Sequence, residues 1–311
     1  MKPQFTLLRA LGALGVLPVL LLAAACGQTT TSARSAPEAA SNAATDTDQR
    51  QRYAVTASVL ENAAHGPQLC RAMLLMMPPT CSGPEVVGWD WNAVESQSDR
   101  GTRWGSFHLI GTWDGTRFTI TEPAKHVGSK DKPIGRDEDT ADFKTPCRTP
   151  AGGWEPVDPS KVSHAAEERF KALAEKDPEY AGIWISYPKG LGSGQTVYVL
   201  RFTRDLPGHE REIRKTWGGP LCLLTAKHSG PELEKVRVEL ERRVKAKTPG
   251  YLGVGSDPQN NRVRLYVTVA SDHMQRDLDR RFGTGMVGLE PWLKPMAFTA
   301  GGGVRPPIAT R

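Results

Sequence analysis

Two stretches decide the fold of the second half of the chain: YAGIWISYPKGLGSGQTVYVLRFT at residues 180–203 and YLGVGSDPQNNRVRLYVT at residues 251–268. Each begins with a tyrosine, an apolar residue and a glycine, and each ends in an alternating apolar run. The alternating positions correspond: Tyr198, Leu200 and Phe202 in the first run, Val263, Leu265 and Val267 in the second. Because alternate residues of a strand face the same side of a sheet, each run predicts a strand with one buried face.

The similarity continues into the segment that follows each run. The matched pairs are Ile213 with Leu278, Trp217 with Phe282, and Gly218 with Gly283, without a gap. Residues four apart share one face of a helix, so the apolar pairs predict a helix packed on the strands. The two glycines fall where a helix end often needs a left-handed residue, so both are predicted to be helix caps.

Extending the pattern predicts a duplicated α-β-β-α-β domain over residues 161–296. The first unit is predicted as helix 165–175, strands 182–187 and 196–203, helix 208–216 and strand 220–225; the second as helix 231–247, strands 251–256 and 262–270, helix 272–281 and strand 286–291. Helices packed over antiparallel sheets give an α+β fold, ferredoxin-like in layout.

Residues 53–127 predict a separate β-rich domain. The clearest signal is the β-forming run 104–113, followed by Asp114-Gly115 and a second run at 116–121. Asp-Gly between two such runs is a strong hairpin signal. A small barrel or sandwich is expected, joined to the duplicated domain by a polar linker at 128–160 and followed after residue 296 by a disordered tail, 297–311.

The first 25 residues have the composition of an export signal. Lys2 and Arg9 supply the positive charge, an uncharged apolar run follows from residue 10, and three alanines precede Cys26. The next residues, 26–52, are rich in Ser, Thr, Ala and Asp and are expected to form a disordered tether.

Leu22-Ala23-Ala24-Ala25-Cys26 resembles the lipobox of bacterial lipoproteins. The resemblance implies cleavage before Cys26, diacylglycerol on its thiol, fatty acids such as palmitate, and a lipid anchor on the extracytoplasmic face of a cell membrane. The sequence departs from the motif in one place, because Leu22 stands four residues before the cysteine rather than three. Ordinary secretion after Ala25 is the alternative.

Four other cysteines remain: Cys70, Cys81, Cys147 and Cys222. An even number in an exported chain predicts two disulfides, for which three pairings are possible. The short Met- and Pro-containing segment between Cys70 and Cys81 favours a closed loop, and Cys147 would then pair with Cys222. Long spacings without a histidine pair argue against a metal site at the cysteines.

The layout of residues 251–291 also resembles the pro-domains of secreted bacterial serine proteases of the streptogrisin and α-lytic type. The residues that carry this resemblance are Tyr251-Leu252-Gly253-Val254, Asn260-Asn261-Arg262-Val263 and Phe282-Gly283. The resemblance implies the fold and a role in contacting another protein. The chain as a whole resembles lipoproteins of actinobacteria, a resemblance that implies no activity.

No catalytic, cofactor-binding or metal-binding motif is predicted. The seven histidines are interpreted as surface or loop residues, since none has a metal-ligand spacing: His65, His108, His126, His164, His209, His228 and His273. Trp89, Trp91, Trp104 and Trp113 either line a groove for a sugar or peptide or, as favoured here, fill a β core, and Asp90 is expected to serve as a turn or cap.

Charge excludes one class of partner. The chain has 40 basic and 34 acidic residues, interleaved rather than clustered, which argues against nucleic acid. The expected function is therefore a membrane-anchored, non-catalytic binding or scaffolding protein, with an envelope protein or cell-wall glycan as partner. Its rivals are an envelope hydrolase with a dispersed active site and a pro-domain-like inhibitor of a secreted protease.

Overall fold

The fold is α+β, as the sequence predicts. The computed structural model describes residues 51–74, 76–128, 130–134, 144–190 and 192–296. The strands are β1 Arg52–Asn62, β2 His65–Cys70, β3 Val86–Val87, β4 Gln97–Asp99, β5 Thr102–Trp113, β6 Phe118–Ile120, β7 Lys125–His126, β8 Tyr180–Ser186, β9 Val197–Phe202, β10 Leu221–Thr225, β11 Tyr251–Asp257, β12 Arg262–Val267, β13 Val287–Pro291 and β14 Lys294–Pro295. The helices are α1 His164–Glu175, α2 Leu206–Arg214, α3 Gly230–Lys245 and α4 Asp272–Phe282, with short 3₁₀ turns at Trp91–Ala93 and Pro159–Lys161.

The first seven strands and β14 form one eight-stranded sheet in the order β14-β1-β5-β6-β3, with β2 added to β1 and with β4 and β7 added to β5. The predicted hairpin is present, since β5 and β6 are antiparallel and Trp113 faces Phe118. Asp114 accepts hydrogen bonds from the backbone of Thr116 and Arg117, which closes the turn. The sheet does not close into the barrel that was one expectation.

Residues from both ends of the described chain build the core of this sheet. Val55, Phe107 and Leu109 lie in it with no exposed surface, and Leu293 joins them from the far end of the sequence. β14 pairs with β1 through Tyr53 and its neighbour, so residues 292–295 complete the first sheet rather than the second α-β-β-α-β unit.

Two α-β-β-α-β units follow, and they have the same strand pairing. The first unit is α1-β8-β9-α2-β10 and the second is α3-β11-β12-α4-β13. In each, the first strand is antiparallel to the second and the second is parallel to the third. The expectation of antiparallel sheets is therefore wrong for the third strand, because a helix crossover returns the chain in the same direction. Each first strand also has a register shift at the same place, between Tyr180 and Gly182 and between Tyr251 and Gly253. The matched tyrosine-x-glycine motifs are therefore two matched β-bulges.

Local sequence explains where the helices begin. Ser163, Ser229 and Ser271 cap α1, α3 and α4, each accepting a hydrogen bond from a backbone N–H of the first turn. Ser229 also forms a capping box with Glu232, whose carboxylate accepts from the Ser229 backbone at 2.7 Å. These caps satisfy N–H groups that have no partner within the helix.

The two cap glycines have different roles, so one prediction holds and the other is wrong. Gly283 ends α4 with a φ of +97°, as a helix-terminal glycine should. α2 ends earlier, at Arg214, and Gly218 does not have a positive φ. A Cβ on Gly218 would lie 2.0 Å from the carbonyl oxygen of Asp158, so close approach of another backbone segment requires this glycine.

Segment 144–160, predicted as part of a polar linker, packs against the first unit. Trp154 is buried with Val197 and Val199 on the sheet face that α1 and α2 do not cover. The Cys147–Cys222 disulfide fastens the same segment to β10.

Candidate binding groove

A groove of about 280 Å³ lies where the two units meet. The start of β8, the first two turns of α3 and the β11–β12 turn surround it. Its apolar lining includes Ile183, Leu233, Pro258 and Val263, and its charged lining consists of Glu234, Arg237, Asp257 and Arg262. A volume at the lower end of the range for small-molecule pockets suits one or two side chains of a partner better than a large ligand.

The bulge glycine of the first unit allows the two units to meet. Gly182 has a φ of +139°, and a Cβ at this position would lie 2.9 Å from the Cβ of Pro258. At Gly253, its counterpart, a Cβ would make only an ordinary van der Waals contact, 3.6 Å from the Tyr266 ring. Equivalent glycines therefore serve different purposes, and only Gly182 shapes the groove.

The charges on α3 form a network along one rim. Arg237 donates two hydrogen bonds of 2.7 Å to the carboxylate of Glu234 and one of 3.1 Å to Glu241. The hydrogen bond from Arg237 holds the pKa of the Glu234 carboxyl below its usual range. A carboxylate has about four acceptor sites, so the two bonds from Arg237 do not saturate the Glu234 carboxylate.

Asp257 forms the opposite rim and is almost fully buried, at 2% exposure. Asn260 Nδ2 donates to its carboxylate at 3.0 Å and Arg262 Nε donates at 2.9 Å, while Arg264 lies 3.6 Å away. Burial raises the pKa of this carboxyl, but the hydrogen bonds and the two arginine charges outweigh it and hold the pKa below the ordinary value. Asp257 is thus an ionised acceptor at neutral pH.

The charged groups of the groove are paired with one another. In the described part of the groove neither histidine nor cysteine is present, and both carboxylates are already paired with arginine. Burial raises the pKa of the Tyr180 hydroxyl, which also lines the groove, to about 12, so this phenol is not ionised near neutral pH. These groups can bind an apolar side chain flanked by polar backbone.

A second cluster lies elsewhere in the first unit, around His209. Its ring stacks on Phe202 with centroids 3.9 Å apart. Nε2 lies 3.0 Å from Oε2 of Glu179, and Nδ1 lies 3.3 Å from Oδ2 of Asp177. These two contacts link α2 to the turn before β8.

The same three residues are candidate metal ligands, because their nearest ligand atoms all lie within 4.8 Å of one another. A cation would have to replace one of the two histidine–carboxylate contacts and compete with Arg204, which also pairs with Glu179. The hydrogen bonds from His209 and Arg204 hold the pKa of Glu179 below its usual range.

The interpretation of His209 as a surface or loop residue is wrong, since its side chain is 13% exposed and belongs to a helix. No motif spacing marks this cluster. The signal available in the sequence is the pair Asp177-x-Glu179 just before a predicted strand.

The site residues predicted from the sequence are five cysteines, one for lipidation and four for disulfides. The structure has the disulfides Cys70–Cys81 and Cys147–Cys222, the pairing that the sequence favours. Cys26 and the signal segment lie outside the described residues. Among the residues that are described, no helix is long and apolar enough to cross a membrane.

The tryptophans form part of the β core. Trp104 is 7% exposed, and Trp89, Trp91 and Trp113 pack against the core of the first sheet. Trp89 makes edge contacts with Trp91 and Phe107 at 5.1 and 4.9 Å. Asp90 accepts a hydrogen bond from the backbone of Asn92, so it caps a 3₁₀ turn as expected.

Sequence reasoning missed Asn261, which ties the connection between β10 and α3 to the β11–β12 turn. This buried residue has a φ of +51°, and its Oδ1 accepts from the backbone N–H groups of Lys227 and His228, both at 2.8 Å. Asparagine is one of the few residues that tolerate this conformation, which is the signal that the sequence offered.

No protein-family model matches the chain, and a search of curated proteins finds no match.

Proposed function

We propose that this protein is a lipid-anchored binding protein of the cell envelope, held on the extracytoplasmic face by Cys26. In this proposal the groove between the two units binds an apolar side chain of an envelope protein. The observation that carries the proposal is the composition of the groove: an apolar lining between two rims of paired charges, Glu234–Arg237 and Asp257–Arg262. Binding sites commonly combine an apolar lining with a few placed polar groups.

The two disulfides support the proposed location on the extracytoplasmic face. Both pairs close within one chain, and disulfides persist mainly in oxidising compartments. Cys26 is the fifth cysteine and the only one that these two bonds do not use.

Site-specific photo-crosslinking tests the groove. A photoreactive phenylalanine analogue replaces Leu233 in the groove, and a matched control replaces Val238, which lies on the same helix with 51% exposure outside the groove. We expect a crosslinked protein from position 233 that is absent at 238. The purified partner should then bind Leu233→Asp about tenfold more weakly than wild type and bind Val238→Asp normally. Equal crosslinking at both positions, or equal binding by both variants, would contradict the proposal.

The anchor has its own test. Wild-type protein from bacterial membranes should carry a diacylglycerol-modified Cys26 at its N-terminus by mass spectrometry, and Cys26→Ala should accumulate unprocessed. An unmodified N-terminal Cys26 in the wild type would overturn the anchor.

A metal-dependent envelope hydrolase is the second candidate, because His209, Glu179 and Asp177 bring one imidazole and two carboxylates together. Turnover of peptidoglycan fragments that requires Zn²⁺ and is lost in His209→Gln would favour this candidate. The same assay without turnover, at a Zn²⁺ concentration that leaves the protein folded, would exclude it for that substrate.

A further inference from the structure

The loop closed by the Cys70–Cys81 disulfide exposes apolar side chains to an unusual degree. Leu74, Met76 and Met77 are 68%, 54% and 69% exposed, and we refer to these three side chains as the tip. The other strongly exposed large apolar residues of the described chain are scattered singly: Val157, Val162, Leu173 and Val238. Single exposed apolar residues are ordinary, whereas a cluster indicates a contact surface.

Hydrogen bonds hold the described residues of this loop, 70–74 and 76–81, in shape. Besides the disulfide, the backbone of Leu74 donates to the carbonyl of Thr80 at 2.9 Å and accepts a bond in return. Arg100 donates to the carbonyl of Met77 from a neighbouring turn. Below the tip, Met73 packs inward against Trp104 and the disulfide. A preformed loop loses little conformational entropy when the tip is covered, which favours binding.

Two arginines lie beside the tip, and one of them is paired with a carboxylate. Residues 70–81 contain Arg71 and no acidic residue. Arg71 is exposed and lies 5.7 Å above the ring of Tyr266, and the Arg100 guanidinium reaches the loop at Met77. Asp99 pairs with Arg100 at 3.1 Å and is the carboxylate closest to this arginine. An apolar tip with basic neighbours complements the acyl boundary and anionic headgroups of a bilayer.

The small size of the tip also favours a bilayer over a protein as the surface that it contacts. Three side chains present much less than the roughly 800 Å² per partner that a stable protein interface buries. A few apolar residues suffice at a membrane when another attachment already holds the protein there.

The chain between Cys26 and the first strand is long enough to let the loop reach a membrane in which Cys26 is anchored. The 25 residues between Cys26 and Arg52 span at most about 85 Å. Cys70 pairs with Ser58, six residues along β1 from Arg52, which is about 20 Å. A lipid on Cys26 therefore permits the tip to reach the bilayer surface.

We propose that the tip of the Cys70–Cys81 loop inserts into the interface of the membrane to which the protein is anchored. This inference rests on the proposed lipid anchor and adds a second, non-covalent membrane contact to it. The second contact would orient the folded part on the membrane rather than leave it to turn freely on its anchor.

Quenching by brominated lipids tests the inference. Full-length protein purified from bacterial membranes is reconstituted in phosphatidylglycerol–phosphatidylcholine vesicles whose acyl chains carry bromine. Met76→Trp adds a reporter at the tip, and Val238→Trp is the matched control, since both replace an exposed apolar residue. The fluorescence added over wild type should fall about twofold at position 76 and stay unchanged at 238.

Three outcomes would overturn the inference, and they are distinguishable. Protein that fails to float with the vesicles refutes the anchor and the inference together. The protein could instead float while acrylamide in the water, and not brominated lipid, quenches the reporter at residue 76. That result refutes the loop contact alone. A reporter shielded from both quenchers shows that protein, rather than lipid, covers the tip.

Discussion

The guanidinium of Arg201, on β9 of the first unit, donates a 3.1 Å hydrogen bond from Nε to the carbonyl of Pro258 in the second unit. The same side chain donates from Nη2 to Gln259 and from Nη1 to Thr225, both at 2.7 Å. One arginine thus satisfies three carbonyl oxygens, two of them in the β11–β12 turn that also forms part of the groove. It links the two units where the candidate site lies.

Arg201→Met should destabilise the protein by about 2–4 kcal/mol, because three carbonyls lose a charged donor at the junction. The matched control is Arg242→Met, whose side chain is 73% exposed and should cost less than about 0.5 kcal/mol. Urea unfolding followed by tryptophan fluorescence gives both values. Similar losses for the two variants would show that Arg201 does not hold the units together.

Gly182→Ala and Gly253→Ala form a matched pair at the two bulges. Alanine at position 182 must adopt a φ of +139° and meet Pro258, so a loss of about 2 kcal/mol is expected. Alanine at position 253 meets only an ordinary contact with Tyr266 and should change stability by less than about 1 kcal/mol. Thermal unfolding of both variants measures the difference, and an equal loss would contradict the assigned role of Gly182.

Asp257 should make stability depend on pH. Its pKa is below the ordinary value of 3.8 in the folded protein, because burial, which raises it, is outweighed by bonds from Asn260 and Arg262 and by the arginine charges. A carboxyl of this kind contributes stability that is complete above its unfolded pKa and is lost as pH falls through the folded one. Asp257→Asn should therefore lower the Tm at pH 7, by an amount equivalent to about 2 kcal/mol, and approach wild type below about pH 4. Melting curves from pH 7 to pH 2.5 test this, and a constant gap across that range would refute it.

The two disulfides should differ in their contribution to stability. Cys147–Cys222 spans 75 residues and Cys70–Cys81 spans 11. Loop-closure entropy then predicts losses of about 4 and about 3 kcal/mol for the corresponding double alanine variants. Guanidinium unfolding of the purified variants measures both. The reverse order would show that strain or residual structure in the unfolded chain outweighs loop length.

The period-two apolar runs and the matched glycines were enough to predict both α-β-β-α-β units, because strand and helix periods are local properties of the sequence. The role of Gly218 could not be predicted, since its reason is a long-range approach of Asp158. The pairing of β14 with β1 was missed for the same reason: two residues carry no period, and their partner lies over 200 positions away.

The candidate groove was not predicted. Its rims use common residues, such as Glu234 and Arg237, whose spacing on a helix is typical of any solvated surface. These residues line a common groove only because β8 lies against α3. His209 was misjudged because its two carboxylate partners lie 30 and 32 residues before it, with no motif between them.

The position of β1 has a mechanical consequence. This strand begins at Arg52, and it lies between β5 on one side and β2 and β14 on the other. In the proposed lipid-anchored arrangement, a pull on Cys26 would run along this strand, parallel to ten paired positions from Arg52 to Glu61. Such a load would have to shear many hydrogen bonds at once rather than open them one by one, so the pairing of β1 would resist tension between the proposed anchor and a bound partner.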